Sequence, residues 1–135
     1  MRRLCIALGV IGIALISMNL APVAAQDDAS KPEFFTTRVK PVFDAHCSSC
    51  HEGTNHRGGL SLNTRASMLK GGHDGPVLVP GDPAKSLLVR LIRHEGPAND
   101  PMPMPPKKPR ISDADIAVVE QWVKAGAVMP DVPAH

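Results

Sequence analysis

Aromatic residues are almost missing from this chain of 135 residues: Phe34, Phe35, Phe43 and Trp122 are all it has, and tyrosine is absent. So few large side chains make a thin core, one expected to need a staple or a bound group to complete it. An excess of charge is missing too. Lys and Arg number 15 against 13 Asp and Glu, and Arg2 and Arg3 stand at the extreme N-terminus, so the remaining 13 basic residues (15 − 2) balance the acidic ones. That balance leaves no nucleic-acid footprint. No stretch alternates apolar and polar residues as a half-buried strand would. A thioredoxin-like redox fold, which sets its cysteine pair in an α/β framework, is thereby excluded. Cysteine occurs only at Cys5, Cys47 and Cys50, and the one long hydrophobic run extends from Leu4 to about Leu20.

That run follows two arginines and ends in the small residues Val23-Ala24-Ala25, the order of a secretory signal, with cleavage expected after Ala25. It approaches the ~18 to 20 residues of a membrane span, so an uncleaved leader would act as an anchor. The small-residue ending favours cleavage, and with it no stable membrane insertion. Cys5 leaves with the leader. Export places the rest in the periplasm or another oxidising compartment. The expected organisation is a signal peptide over 1–25, a flexible linker over 26–32, one domain over 33–130 and a tail over 131–135.

Within the domain, Phe35, Val39, Val42, Phe43, Cys47 and Cys50 recur at helical spacing, so the cysteines continue an apolar stripe, and His51 falls four residues after Cys47. One helical face then presents both thiols and the imidazole. Pro41 predicts a kink or a fresh helix start. Thr64 to Lys70 reads as a short helix closed by Gly71. Asp82 as N-cap and Pro83 at the first helical position announce a third, with Leu87, Leu88, Leu91 and Ile92 on one side; its Lys85, Arg90 and Arg93 read as solvated surface. Proline-dense "GPANDPMPMPPKKPR" predicts an extended, polyproline-like loop. Ser112, with Asp113 and Asp115 in the first turn, opens a last helix through Ile116, Val119, Trp122 and Val123 that stops at Gly126. The glycines of "GGHDG" neither follow a strand nor precede a Gly-Lys-Ser/Thr sequence, so they are no phosphate cradle. The fold class is all-α with long loops.

The segment "CSSCH" carries the chemistry. A c-type haem needs two thiols to add to the porphyrin's two vinyl groups and a nitrogen beneath the iron, and Cys47, Cys50 and His51 supply all three. Zinc held by Cys47, Cys50 and a histidine from His46, His51, His56 or His73 is the rival. Covalent haem also answers the thin core. On the iron's far side the proline loop offers two thioethers, Met102 and Met104. Methionine opposite histidine favours the reduced iron and closes it to other ligands, which suits outer-sphere electron transfer. In a polyproline helix of three residues per turn, positions two apart point ~240° from each other, so only one of the pair can face the iron.

The order "VKPVFDAHCSSCHEG", "GGLSLNTRASMLKGGHDGPVLVPGDPAKSLLVRLI", "MPMPPKKPRISDADIAVVEQWVKAGA" resembles the planctomycete-type cytochrome c domain, a member of the monohaem cytochrome c fold, from about Phe34 to Ala127. The resemblance implies three to five helices around one covalent haem c, attachment at Cys47 and Cys50, proximal ligation by His51 and distal ligation by Met104 of Met-Pro-Pro, with Met102 as the alternative. It implies a crossing of first and last helices, with Phe43 near Trp122 and with Val39 and Pro41 where a glycine often stands, and an Arg65 that reaches a haem propionate. The function expected is single-electron transfer by an exported carrier, a free shuttle or a subunit of an oxidoreductase complex, and no enzyme itself. Lys107, Lys108 and Arg110 offer a docking patch for an acidic redox protein. The alternative is a haem sensor whose sixth site is open or weakly held by His94 or His73.

Overall fold

The first helix is interrupted by its own proline. In the computed structural model of the chain, which describes residues 28–96 and 102–131, α1 (Pro32–Phe34) runs into a π-turn (Phe35–Val39), in which the Lys40 N–H donates to the Phe35 carbonyl, and then into α2 (Lys40–His46). Pro41 has no N–H for the Thr37 carbonyl, so the register slips by one residue and Pro41 falls in the first turn of α2, where no intrahelical donor is required. This is the fresh start expected from the sequence. Within the stretch 26–32 expected as linker, the described residues are packed: Lys31 N–H donates to the Asp28 carbonyl (3.0 Å), and Ala29 is buried in the core.

A second interruption was not foreseen. Cys47 (φ −122°, ψ −40°) separates α2 from α3 (Ser48–His51), so the thiols do not continue one uninterrupted helical stripe. Backbone bonds still span the bend, from Cys47 N–H to the Phe43 carbonyl (2.7 Å) and from His51 N–H to the Cys47 carbonyl (3.1 Å). Side chains staple it as well. Lys40 Nζ reaches both Asp44 and Glu52 Oε2, the latter at 3.3 Å, while Ser48 Oγ donates to Asp44 Oδ1 at 3.1 Å.

After a 3-10 turn (Arg57–Gly59), α4 (Arg65–Lys70) starts at Thr64, whose Oγ1 accepts from the Ser67 N–H while Ser67 Oγ accepts from the Thr64 N–H, and it is closed by Gly71 at φ 78°, as expected. The next helix begins later than the sequence suggested. Asp82 caps only an isolated turn, its Oδ1 accepting from Lys85 N–H (3.1 Å), and α5 (Leu87–Ile92) starts after Ser86, which is extended (φ −74°, ψ 115°). Ser86 is buried, and its hydroxyl is committed to the backbone of Val79, 2.9 Å from the Val79 nitrogen, which holds it out of helical geometry. The last helix, α6 (Asp113–Lys124), matches expectation: Ser112 Oγ accepts from Asp115 N–H (3.1 Å), and Gly126 follows at φ 106°.

The π-turn and α2 pack against α6 through three rings. Phe35, Phe43 and Trp122 have centroids 5.4 to 5.9 Å apart, two of the three pairs being edge-to-face, an arrangement that stabilises beyond area burial alone. Val39 fits this crossing fully buried, and Trp122 Nε1 donates to the Val128 carbonyl at 2.8 Å. Among the described residues there is no strand, only an isolated bridge between Gly72 and Gly75; the architecture is all-α. No helix among them is long and apolar enough to cross a membrane, and the leader over 1–25 lies outside them.

Candidate functional site

Two glycine clusters build one wall of a cleft. Gly58 accepts at its carbonyl from His73 N–H (2.8 Å), and Gly72 N–H donates to the Gly75 carbonyl (3.2 Å) in a tight return. The approach of backbone to backbone excludes side chains: a Cβ on Gly72 would lie 2.4 Å from the Gly58 oxygen, and one on Gly71 only 1.8 Å from the Gly75 oxygen. α5 adds a second wall, with Leu87, Leu88, Leu91 and Ile92 all in the lining, the side predicted from their spacing. Between them lies an apolar cavity of about 140 Å³ that opens to solvent. A smaller lobe of about 30 Å³ continues it past His46, Pro105 and Ile111. Neither Phe nor Trp lines either lobe.

The bend at Cys47 brings the sequence-predicted residues into this space. Cys47, Cys50 and His51 line both lobes, and the cysteines are free thiols rather than a disulfide. Burial pushes the Cys47 thiol up to about 12, helped by the charges of Glu52 and Cys50, so the sulfur sits protonated in an apolar setting. His51 is held below the ordinary histidine range chiefly by burial, against the opposing pull of the Leu60 and Arg57 carbonyls. Its Nδ1 lies 3.4 Å from the Leu60 oxygen, and its own carbonyl accepts from Leu62 N–H at 2.8 Å. An imidazole that donates through Nδ1 to a carbonyl has a fixed ring plane and offers Nε2 as a lone pair, the form a metal takes.

Met104 also lines both lobes, while Met102 lines neither and is 53 % exposed. Met104 N–H donates to the Leu91 carbonyl (3.1 Å), tying the loop to the end of α5. The described part of this loop is not the continuous polyproline helix expected: the Met104–Pro105 bond is cis, and Lys107 turns at φ 57°, both outside that geometry. Lys107 and Lys108 are exposed beside Pro106, whereas Arg110 Nη2 pairs with Asp113 Oδ1 at 2.5 Å.

Other expected participants stand elsewhere. Arg65 is not at the cleft: Nε donates to the Ala127 carbonyl (3.0 Å) and Nη2 to the Gly126 carbonyl (3.2 Å), so the guanidinium caps the end of α6 instead of reaching a propionate. His73 and His94 are exposed and outside the lining. Among the described residues no group of three or more His, Cys, Asp or Glu side chains is arranged to hold a metal ion, so Cys47 and Cys50 lack the companions a tetrahedral zinc requires. Two lining residues, Arg57 and Asp74, escaped the sequence reading. The glycines beside them were the available signal, yet nothing in a sequence says that two glycine clusters pack on each other.

Two uncrosslinked thiols and a neutral imidazole on one face of an apolar cleft, with a thioether also in its lining, form a donor set that fits a covalently attached haem. Residues 47–108 match the family model described as Planctomycete cytochrome C. No curated protein and no solved structure matches the chain.

Proposed function

We propose that this protein, whose residues 47–108 match the planctomycete cytochrome c family, binds haem and is an exported carrier of single electrons. Cys47 and Cys50 would hold one haem c through thioethers, with His51 and Met104 as axial ligands. The observation that carries this reading is the convergence of Cys47, Cys50, His51 and Met104 on one apolar cleft that Met102 does not touch. Bound haem supplies a ferrous/ferric couple. The chain's own part is to hold that couple still and dry. The Leu60 carbonyl orients His51, the tie from Met104 N–H to Leu91 fixes where the thioether sits, and Leu88, Leu91 and Ile92 keep water from the cleft. No general base or nucleophile is assigned a reaction, and we read the chain as a carrier, not an enzyme. Exposed Lys107 and Lys108 beside Pro106 suit an acidic redox partner.

Axial ligation is tested on the oxidised holoprotein. Met104→Ala is expected to remove the weak sulfur-to-iron absorption and lower the reduction potential, and Met102→Ala to leave both nearly intact. The reverse pattern transfers the role to Met102. No effect from either, with carbon monoxide binding readily to the reduced wild type, would replace the carrier by a sensor with an open sixth site. Export has its own check: N-terminal sequencing of the secreted protein should begin at or near Gln26, whereas a chain starting at Met1 in the membrane fraction would make it an anchored cytochrome.

A further inference from the structure

Apolar walls suit the body of a porphyrin and not its two propionates, which are ionised at neutral pH and costly to leave without a counter-charge at a low-dielectric rim. Among the described residues, Arg57 is the only Lys or Arg in the lining of either lobe. Other arginines are engaged: Arg65 with the end of α6, Arg93 with Glu120, Arg110 with Asp113. No hydrogen bond or ion pair among the described residues engages the Arg57 guanidinium, which is exposed.

The backbone around Arg57 is nevertheless fixed. Leu60 N–H closes the turn onto the Arg57 carbonyl (3.3 Å), and His73 N–H donates to Gly58 (2.8 Å). A Cβ on Gly59 would meet the His73 ring at 2.9 Å. The turn is thus locked against the 71–75 loop, which contributes Asp74, the only carboxylate in the lining among the described residues. One positive and one negative group therefore stand at the same rim.

We infer that Arg57 binds a haem propionate at the rim of the cleft, with Asp74 as the opposing charge, and that this pair sets the reduction potential. The inference rests on the haem reading of the cleft. A bidentate guanidinium neutralises the carboxylate it holds, which removes a negative charge that would otherwise favour ferric iron. Asp74 acts in the other direction, and by like-charge repulsion it directs the propionate to Arg57.

The test is the midpoint potential of covalently loaded holoproteins at one pH and ionic strength, with optical spectra recorded to show that axial ligation is retained. Arg57→Gln is expected to shift the ferric/ferrous equilibrium three- to tenfold toward ferric, about 28 to 59 mV downward for one electron. Arg57→Lys should restore most of the loss, and Asp74→Asn should shift the potential upward. A merely structural Arg57 would not produce opposite signs that follow charge. A wild-type potential in Arg57→Gln, or a loss in Arg57→Lys equal to that in Arg57→Gln, overturns the inference while leaving the cytochrome reading intact. If Arg57→Gln yields no holoprotein, an unchanged or lowered potential in Asp74→Asn overturns it. Wild-type protein without covalent haem would overturn the cytochrome reading, and this inference with it.

Discussion

At Arg65 a single side chain takes a role that no local pattern announces. It begins α4, half-buried, and spends its guanidinium on carbonyls 61 and 62 residues away, at the end of α6. Those carbonyls lie just past Lys124, the last residue of α6, so the cation they fix stands near the negative end of the helix dipole, which is favourable. Arg65→Gln should cost about 1.5 to 3 kcal/mol, the range for hydrogen bonds made by a charged group, measured as a lowered urea midpoint of the holoprotein with an unchanged reduction potential. A changed potential with unchanged stability would return Arg65 to the haem. Local chemistry was legible where the partner is near in sequence: Ser112 caps as its position suggested, and Thr64, read as the first residue of its helix, caps it instead, each accepting from an N–H three residues on. It was illegible where the partner is distant, as for Arg65.

Among the elements, those governed by backbone rules followed the sequence and those governed by close approach did not. Pro41 restarts a helix because it lacks a donor. Asp82-Pro83 looked like a helix start and was overruled, because Ser86 is committed to Val79. The glycine wall is the sharpest case. Gly71 needs its positive φ of 78°, and any Cβ there would sit 1.8 Å from the Gly75 oxygen and 2.7 Å from Pro76 Cα; both neighbours are backbone and cannot swing aside. Gly53 also has a positive φ, 62°, with nothing within 4 Å of a Cβ. Gly53→Ala should therefore cost only the left-handed penalty of about 1 to 2 kcal/mol. Gly71→Ala should lower the thermal midpoint by clearly more, and it should reduce haem incorporation as the 71–75 turn parts from Gly58. Equal losses from the two variants would contradict this account of the wall.

For the whole molecule, the scarcity of aromatic residues reads differently once folded. Phe34, Phe35, Phe43 and Trp122 are all buried, and three of them pack against one another, mostly edge-to-face, at the helix crossing, so the polypeptide spends its few rings there and leaves the cleft to aliphatic side chains. Helical spacing in the sequence foretold the all-α class and the row of leucines and isoleucine on α5, while the crossing of Phe43 with Trp122 was implied by the family resemblance. The bend at Cys47 and the pairing of the glycine loops depend on contacts that spacing does not encode. The central claim is that this cleft holds a haem bonded to Cys47 and Cys50, and the most direct measurement is the mass of the denatured polypeptide from cells equipped for haem attachment. Wild type should carry the mass of one haem after denaturation, and the double variant Cys47→Ala, Cys50→Ala should carry none. Wild-type polypeptide that releases all its haem on denaturation would contradict the claim.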